Sequence, residues 1–398
     1  MKKLVFLLLP IVILAQSFII SDIPLPRTYI QNLDPYECTQ ECLQQYVDDN
    51  MIFSFLSYGN VPLDDETLQE ARNINMTLFN MAPFNSHAML KIAMLLPSKK
   101  IGKYAATTTN ASFAYLLDTG NPFMLKSYNI DSENKEDIQT ALNTIQEDGF
   151  THIIAPFTTK GVNNVIALDP QLSIYFPTIN KKDVNTSSPY LNFGGIDYRQ
   201  QSDLLLQKAT TPLVIFSDKS SLGHRLANYQ KETFTMQTGS QRVIPYFLSR
   251  KTTNLEPYLK KNKRIVHGSF FINTPIIKSG MILSQLTLYD TNATNILSTQ
   301  INYNPLLLSM TQYVDRKHMI VANSLTLHNN LLIETNALLG NDIVYDWINY
   351  STTVGVDYFY SLMTGESRKY PIPLENHQMH YSIELLKPSV SKFTPYTD

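Results

Sequence analysis

A chain of 398 residues has room for two or three lobes and a sizeable core. Its 43% hydrophobic and 17% charged residues speak for a folded globular protein and against wholesale disorder. A formal net charge of −2 removes the electrostatic case for a polyanion partner, so nucleic acid is not expected.

Lys2 and Lys3 precede an apolar run from Leu4 to Ala15, followed by Gln16 and Ser17. This is the layout of a secretory signal peptide over residues 1–15, with cleavage expected after Ala15. The alternative is an uncleaved anchor extending to Ile20. Gln16 and Ser17 interrupt it, and it is short against the roughly 20 residues of a bilayer span. No other segment is long enough to cross a membrane, so the mature chain is expected to be exported and soluble. Residues 16–34 carry Pro24 and Pro26 and read as an extended lead-in.

Cysteine usage fits export. Cys38 and Cys42 are the two cysteines, and nearby thiols in an oxidising compartment are expected to pair. Spaced i, i+4 on a helix, their Cα atoms would lie about 6 Å apart, within disulfide range. A metal site is unsupported, because no further Cys or nearby His completes four ligands. The C-x3-C spacing also differs from the C-x-x-C of redox motifs.

Residues 35–88 read as a helical hairpin. One helix is expected from Cys38 to Tyr58, and a second from Asp64 to Asn80 with Leu68, Ala71, Ile74 and Leu78 on one side. Two such helices cannot bury their apolar stripes alone, so the hairpin is expected to dock on the following domain or on a partner.

From Lys91 to Phe157 strand and helix alternate: KIAMLLPS, a helix IGKYAATTTNASFAYLLDTG, FMLKSYNI, a helix SENKEDIQTALNTIQEDG, and THIIAPF. Short apolar strands separated by helices call for a parallel sheet with helices on its faces. Ile138, Ala141, Leu142 and Ile145 form one apolar stripe, Ser132 is placed to cap that helix, and Glu133, Glu136 and Asp137 suit its positive end. Gly149 is placed to close it.

The alternation continues through a helix at Thr158–Ala167, LSIYFPTI, YLNFGGID, TPLVIFSD, the helix SSLGHRLANYQKETF and QRVIPYFLS. Next come a short helix LEPYLKKNK, the strand RIVHGSFF, a helix TPIIKSGMILSQLTLYD and a strand near Asn295–Asn302. The basic residues Lys260, Lys261, Lys263 and Arg264 would close the short helix at its negative end. DIVYDWINYSTTVGVDYFYSLMTG reads as one long helix ending at Gly365, and MHYSIELLKP as a final strand. About four strands precede Ile196 and about three follow it, which makes two similar α/β lobes.

The order of these elements resembles the type 1 periplasmic-binding-protein fold. Within that superfamily it is most similar to the exported activators of penicillin-binding proteins and, more distantly, to branched-chain amino-acid receptors. IAMLLPS resembles the family's opening strand and turn. APFTTKGVNNV resembles its Gly-Pro-Leu segment, with Pro156 and Val162 matching and Ala155 in place of Gly. YLNFGGID resembles the strand that crosses to the second lobe. FSDKSSLGHRLANYQKETF resembles the strand–turn–helix with Gly223 and Arg225, and VGVDYFYSL a late helix in which Tyr358 departs from the usual small residue. The resemblance implies a first lobe of residues 89–197 and 304–370, a second of 198–303 and 371–398, and crossings near Ile196 and Pro305. It also implies a periplasmic location and a non-enzymatic role in the cell envelope through a protein partner. The alternative is a receptor for an amino-acid-like small molecule.

No enzyme signature is present: no G-x-S-x-G elbow, Walker loop or G-x-G-x-x-G fingerprint. His377 and His380 form H-x-x-H in a region read as loop and strand, a spacing that places them on opposite faces, so surface histidines are the better reading. Asp64 and Asp65 precede a helix and suit its dipole. No catalytic residue, metal or cofactor is therefore expected.

Binding remains. In an open α/β sheet, ligands meet the carboxyl ends of the strands, where helix N-termini point. Those positions are Ser98, Thr158 and Thr159 in the first lobe, and Asp218, Ser220 and Ser221 in the second. The hydroxyl caps among them offer donors for a small carboxylate ligand, or all six serve as helix caps and nothing more. Asn185 and Asn292 lie in DVNTS and DTNAT, the acid-x-Asn-x-Ser/Thr form that some bacterial oligosaccharyltransferases require. Asn75, Asn110 and Asn349 begin N-x-S/T sites without the acid. In an Asn- and Thr-rich chain such sites also arise by chance.

Overall fold

The computed structural model describes Ile30 and residues 38–58, 63–79, 81 and 89–397. The expected leader and, apart from Ile30, the lead-in lie outside the described residues. The chain divides into two units, Met1–Ala88 and Met89–Asp398.

In the first unit three helices form where two are expected: α1 (Gln40–Asp48), α2 (Ile52–Tyr58) and α3 (Glu66–Leu78). The expected single helix breaks at Asn50, whose φ of 53° is left-handed and reverses the chain. Cys38 and Cys42 are bonded with Cα atoms 5.5 Å apart. Cys38 precedes the helix and Thr39 caps it, so the bridge fastens the helix start to the incoming chain. Asp65 caps α3 through Thr67 N and Leu68 N. The buried stripe of α3 is Leu68, Arg72 and Met76, spaced i, i+4, i+8. Ile74 and Leu78, expected on the inner side, face outward. Leu43, Phe55 and Leu56 complete the small core.

The second unit opens with β1 (Leu90–Leu96), α4 (Ser98–Ile101), α5 (Tyr104–Thr119), β2 (Phe123–Asn129), α6 (Lys135–Glu147), β3 (His152–Ile154), α7 (Thr159–Leu168), β4 (Ser173–Phe176) and β5 (Leu191–Phe193). A 3-10 turn at Lys181–Asp183 separates the last two strands. After a crossing come α8 (Tyr198–Leu206), β6 (Leu213–Asp218), α9 (Ser221–Thr238), β7 (Val243–Leu248), α10 (Glu256–Leu259), β8 (Ser269–Asn273), α11 (Ile276–Leu288) and β9 (Asn295–Ser298). Then follow α12 (Pro305–Met310), α13 (Tyr313–Arg316), β10 (Met319–Asn323), α14 (Asn330–Leu338), α15 (Trp347–Thr364), β11 (Leu374–Glu375), β12 (Gln378–Met379), β13 (Glu384–Pro388) and β14 (Phe393–Pro395).

Two sheets result, ordered β11-β12-β5-β4-β3-β1-β2 and β14-β13-β10-β9-β8-β6-β7. Each is parallel except at the edge built by the C-terminal strands. The strands β1, β6, β8 and β10 are buried nearly throughout, as strands covered by helices on both faces must be. Each sheet carries an apolar core on either face.

The lobe boundaries differ from expectation. β10, placed in the first lobe by the 304–370 assignment, belongs to the second sheet, and β11–β12, placed in the second lobe by 371–398, belong to the first. Pro305 therefore marks no crossing; it starts α12 inside the second lobe. The chain crosses at residues 194–197, again after β10, and a third time at residues 380–383. That third crossing cuts the expected strand MHYSIELLKP in two, because its halves pair with different sheets.

Smaller differences have local causes. Gly102 at φ 56° separates α4 from α5 where one helix is expected. The α10 helix ends at Leu259, and Lys260 turns back to Glu256 at 2.6 Å instead of extending the helix into the basic cluster. In α6 the expected stripe Ile138, Ala141, Leu142 and Ile145 is buried and Gly149 adopts φ 75°. Ser132 does not cap the helix; its hydroxyl donates to Asp137 at 2.6 Å, and the N-cap position falls to Asn134.

Candidate functional site

Between the lobes lies a cleft of about 350 Å³. Its first-lobe wall is Asn180, Lys182 and Asp183 at the 3-10 turn after β4, its base is the crossing Ile196–Arg199, and its second-lobe wall is α9 from Leu222 to Glu232.

Close packing fixes the base. A Cβ on Gly195 would fall 2.2 Å from the carbonyl carbon of Ile179 and 2.4 Å from Asn180 N, so only glycine lets the crossing backbone pass this loop. Asn180 Nδ2 then donates to Gly195 O at 3.0 Å, and Lys182 N donates to Asn180 Oδ1 at 3.0 Å. Asp197 caps α8, accepting from Arg199 N at 3.1 Å and Gln200 N at 3.0 Å. Its other oxygen receives Lys182 Nζ at 2.5 Å.

Charge bridges the walls. Asp183 Oδ1 lies 3.4 Å from Arg225 Nη1 and 3.9 Å from Arg199 Nη2, so a first-lobe carboxylate faces two second-lobe guanidinium groups. The Arg199 guanidinium lies 5.7 Å from the Tyr229 ring. Tyr229 donates to Asp203 at 2.7 Å, and burial, followed by that hydrogen bond, pushes its hydroxyl above the ordinary tyrosine range. Lys182, Arg199 and Arg225 balance Asp183, Asp197 and Glu232, which suits a cleft that recognises both signs of charge.

The six residues singled out from the sequence do not line this cleft. Ser98 opens α4 and donates to Asn129 at 2.5 Å. Thr158 donates both its N–H, at 2.7 Å, and its hydroxyl to the carboxylate of Glu133. Glu133, expected to complement the α6 dipole, is buried at 5% exposure against Gly161 and occupies the start of α7 instead. Thr159 is half-buried beside it. Asp218 accepts from Ser220 N at 3.1 Å and Ser220 Oγ at 2.5 Å, while Ser220 caps α9 through Gly223 N at 3.0 Å. Ser221 is exposed. Asp218 and Ser220 hold the start of α9 in place, and α9, so anchored, presents Arg225 and Tyr229.

The strand ends of the second lobe are closed by the chain's own amides. Asn273 Nδ2 donates to Gln230 at 2.7 Å and Gln230 to Ser202 at 3.1 Å. Gln201 donates to Ser324 at 2.7 Å and accepts from Gln300 N at 2.9 Å, and Gln300 donates to Asn323 at 3.2 Å. All are at most 4% exposed, so these polar groups are spent on one another.

Among the described residues no three His, Cys, Asp or Glu side chains come together as metal ligands. His377 rests against Asn192 at 3.2 Å and His380 against Glu375 at 3.9 Å. Among the described residues no helix is long and apolar enough to cross a membrane.

Sequence reasoning missed Asn180, Lys182, Asp183, Asp197, Arg199 and Tyr229. The strand-end rule, applied to the turn after YFPTI, reaches Asn180, and Arg225 already stands in the Gly-x-Arg segment.

No family model and no curated protein matches the chain. Solved structures do. A putative branched-chain amino-acid ABC transporter protein from Rhodospirillum rubrum is 8% identical with a TM-score of 0.59, over 78% of this chain and 100% of that one. An ABC-transporter solute-binding protein from R. palustris in complex with benzoate is 12% identical with a TM-score of 0.55, over 77% and 95%. Full-length LpoA from Haemophilus influenzae is 12% identical with a TM-score of 0.52, over 89% of this chain and 65% of that one. The LpoA C-domain, a regulator of PBP1A, is 11% identical with a TM-score of 0.51, over 77% and 100%. At these identities the likeness establishes the fold: a two-lobed type 1 periplasmic-binding-protein fold.

Proposed function

We propose that this chain is an exported, non-enzymatic protein of the cell envelope that acts through a protein partner, in the manner of a penicillin-binding-protein regulator. One observation carries the choice. Both donors of Thr158 at the start of α7, which a receptor for small carboxylates would offer to its ligand, are taken by the chain's own buried Glu133. The span of the likeness supports the same reading, since full-length LpoA covers 89% of this chain and the R. rubrum binding protein 78%. Cross-linking in intact envelopes is the test: a penicillin-binding protein should be recovered with the full-length chain. Repeated recovery of no envelope protein would overturn the proposal.

A second reading, a receptor for an amino-acid-like molecule, draws on the charge-balanced cleft of about 350 Å³. The two separate in a thermal-shift screen of amino acids, benzoate and other small acids at millimolar concentration. A receptor is stabilised by RT ln(1 + [L]/Kd), whereas a protein that works through a partner alone shows no shift.

A further inference from the structure

The five N-x-S/T sites of the sequence separate into two groups in the fold. Asn75, Asn110 and Asn349, which lack a preceding acid, lie within α3, α5 and α15. Their side-chain nitrogens are all engaged: Asn75 donates to Ala71 O at 2.8 Å, Asn110 to Leu339 O at 3.4 Å, and Asn349 to Asn341 Oδ1 at 3.1 Å and Asp342 O at 3.0 Å. Asn185 and Asn292, the two preceded by an acid, lie on loops with exposed side chains, and their amides make no hydrogen bond among the described residues. The sites that carry the charged determinant are thus the ones whose amide nitrogen is free to react.

Between these two, Asn292 is the better acceptor. Asp183, the acid of the Asn185 site, is turned into the cleft toward Arg225 and Arg199. Asp290, the acid of the Asn292 site, is exposed and forms no ion pair among the described residues. Asp290 and Asn292 both adopt left-handed backbone, at φ 47° and 48°, on either side of the buried Thr291. The loop therefore projects the acid and the amide outward together. Asp290 and Asn292 line a groove of about 220 Å³ together with Lys317 and His318.

We propose that Asn292 is an N-glycosylation acceptor for an acid-dependent oligosaccharyltransferase of the envelope. The donor is a polyprenyl-diphosphate-linked oligosaccharide. Asn292 Nδ2 bonds to C1 of the reducing-end sugar, the bond from C1 to the diphosphate oxygen breaks, and polyprenyl diphosphate leaves. The amide proton passes to a base of the transferase, and no oxidation or reduction occurs. The proposal rests on export, hence on the envelope location of the preceding section.

The experiment is glycopeptide mapping by mass spectrometry of the full-length chain purified from the envelope of the organism that makes it. The Asn292 peptide should carry an oligosaccharide, lost completely in Asn292→Gln and at least tenfold reduced in Asp290→Asn, with the thermal midpoint of Asp290→Asn unchanged. Asp290→Asn suits the left-handed backbone, so its loss of glycan would report the missing charge. An exported chain whose Asn292 peptide has the bare polypeptide mass overturns the glycan proposal alone. A chain recovered only from the cytoplasm overturns the envelope reading along with it. Glycan retained in Asp290→Asn overturns the role given to the acid.

Discussion

Asp357 is fully buried on α15, and four donors converge on its carboxylate: Tyr115 Oη at 2.7 Å, Lys369 N at 2.7 Å, Arg368 Nε at 3.0 Å and Tyr370 N at 3.3 Å. Truncation leaves Arg368, the Tyr115 hydroxyl and two backbone N–H groups without this acceptor in a low-dielectric core. Asp357→Ala is expected to cost about 3–5 kcal/mol, read as a lower urea midpoint at unchanged m. A loss below about 1 kcal/mol would show the cluster to be dispensable. This residue marks the limit of sequence reading at its scale. Its place on a late helix was legible in VGVDYFYSL, but its partners were not, because Tyr115 lies 242 positions away. Glu133 teaches the same lesson in reverse. A local rule assigned it to the helix that follows, and a contact 25 residues onward claimed it. Spacing encodes neighbours on one element, and it carries no information about a side chain that leaves its own element.

At the scale of elements, periodicity served well where a helix buries one stripe. The α6 and α15 helices end at Gly149 and Gly365 as read, each glycine with positive φ. Boundaries failed where a single residue reverses the chain, as at Asn50 and Gly102, because an apolar pattern on both sides of a break looks continuous. The strand MHYSIELLKP failed for a different reason: its hydrophobicity is real, but its halves answer to two sheets. The Cys38–Cys42 bridge closes a ring so short that the entropic model allows it about 2 kcal/mol. Reduction, or the double replacement of both cysteines by Ser, is expected to lower stability by no more than that. A larger loss in denaturant unfolding would mean that fastening the start of α1 stabilises the fold beyond the entropy of the closed ring.

At the scale of the molecule, two lobes were legible from the count of alternating elements, while the lining of the cleft between them was not, since it is assembled from a turn, a crossing and a distant helix. The ion pairs of Asp183 with Arg225 and Arg199 are partly exposed, so they contribute about 1 kcal/mol or less and shift opening by a factor of about five at most. Asp183→Asn, like 1 M salt on the parent, is expected to enlarge the radius of gyration in small-angle scattering. An unchanged radius would show that these ion pairs do not hold the cleft closed. The three crossings have one more consequence. The first sheet takes its last strands from Leu374–Met379, and one face of its core needs Val354, Phe359 and Tyr370. The lobe that is translated first is therefore completed nearly last. A nascent chain emerging from the ribosome carries an unsealed half whose apolar surface waits for the carboxyl-terminal segment.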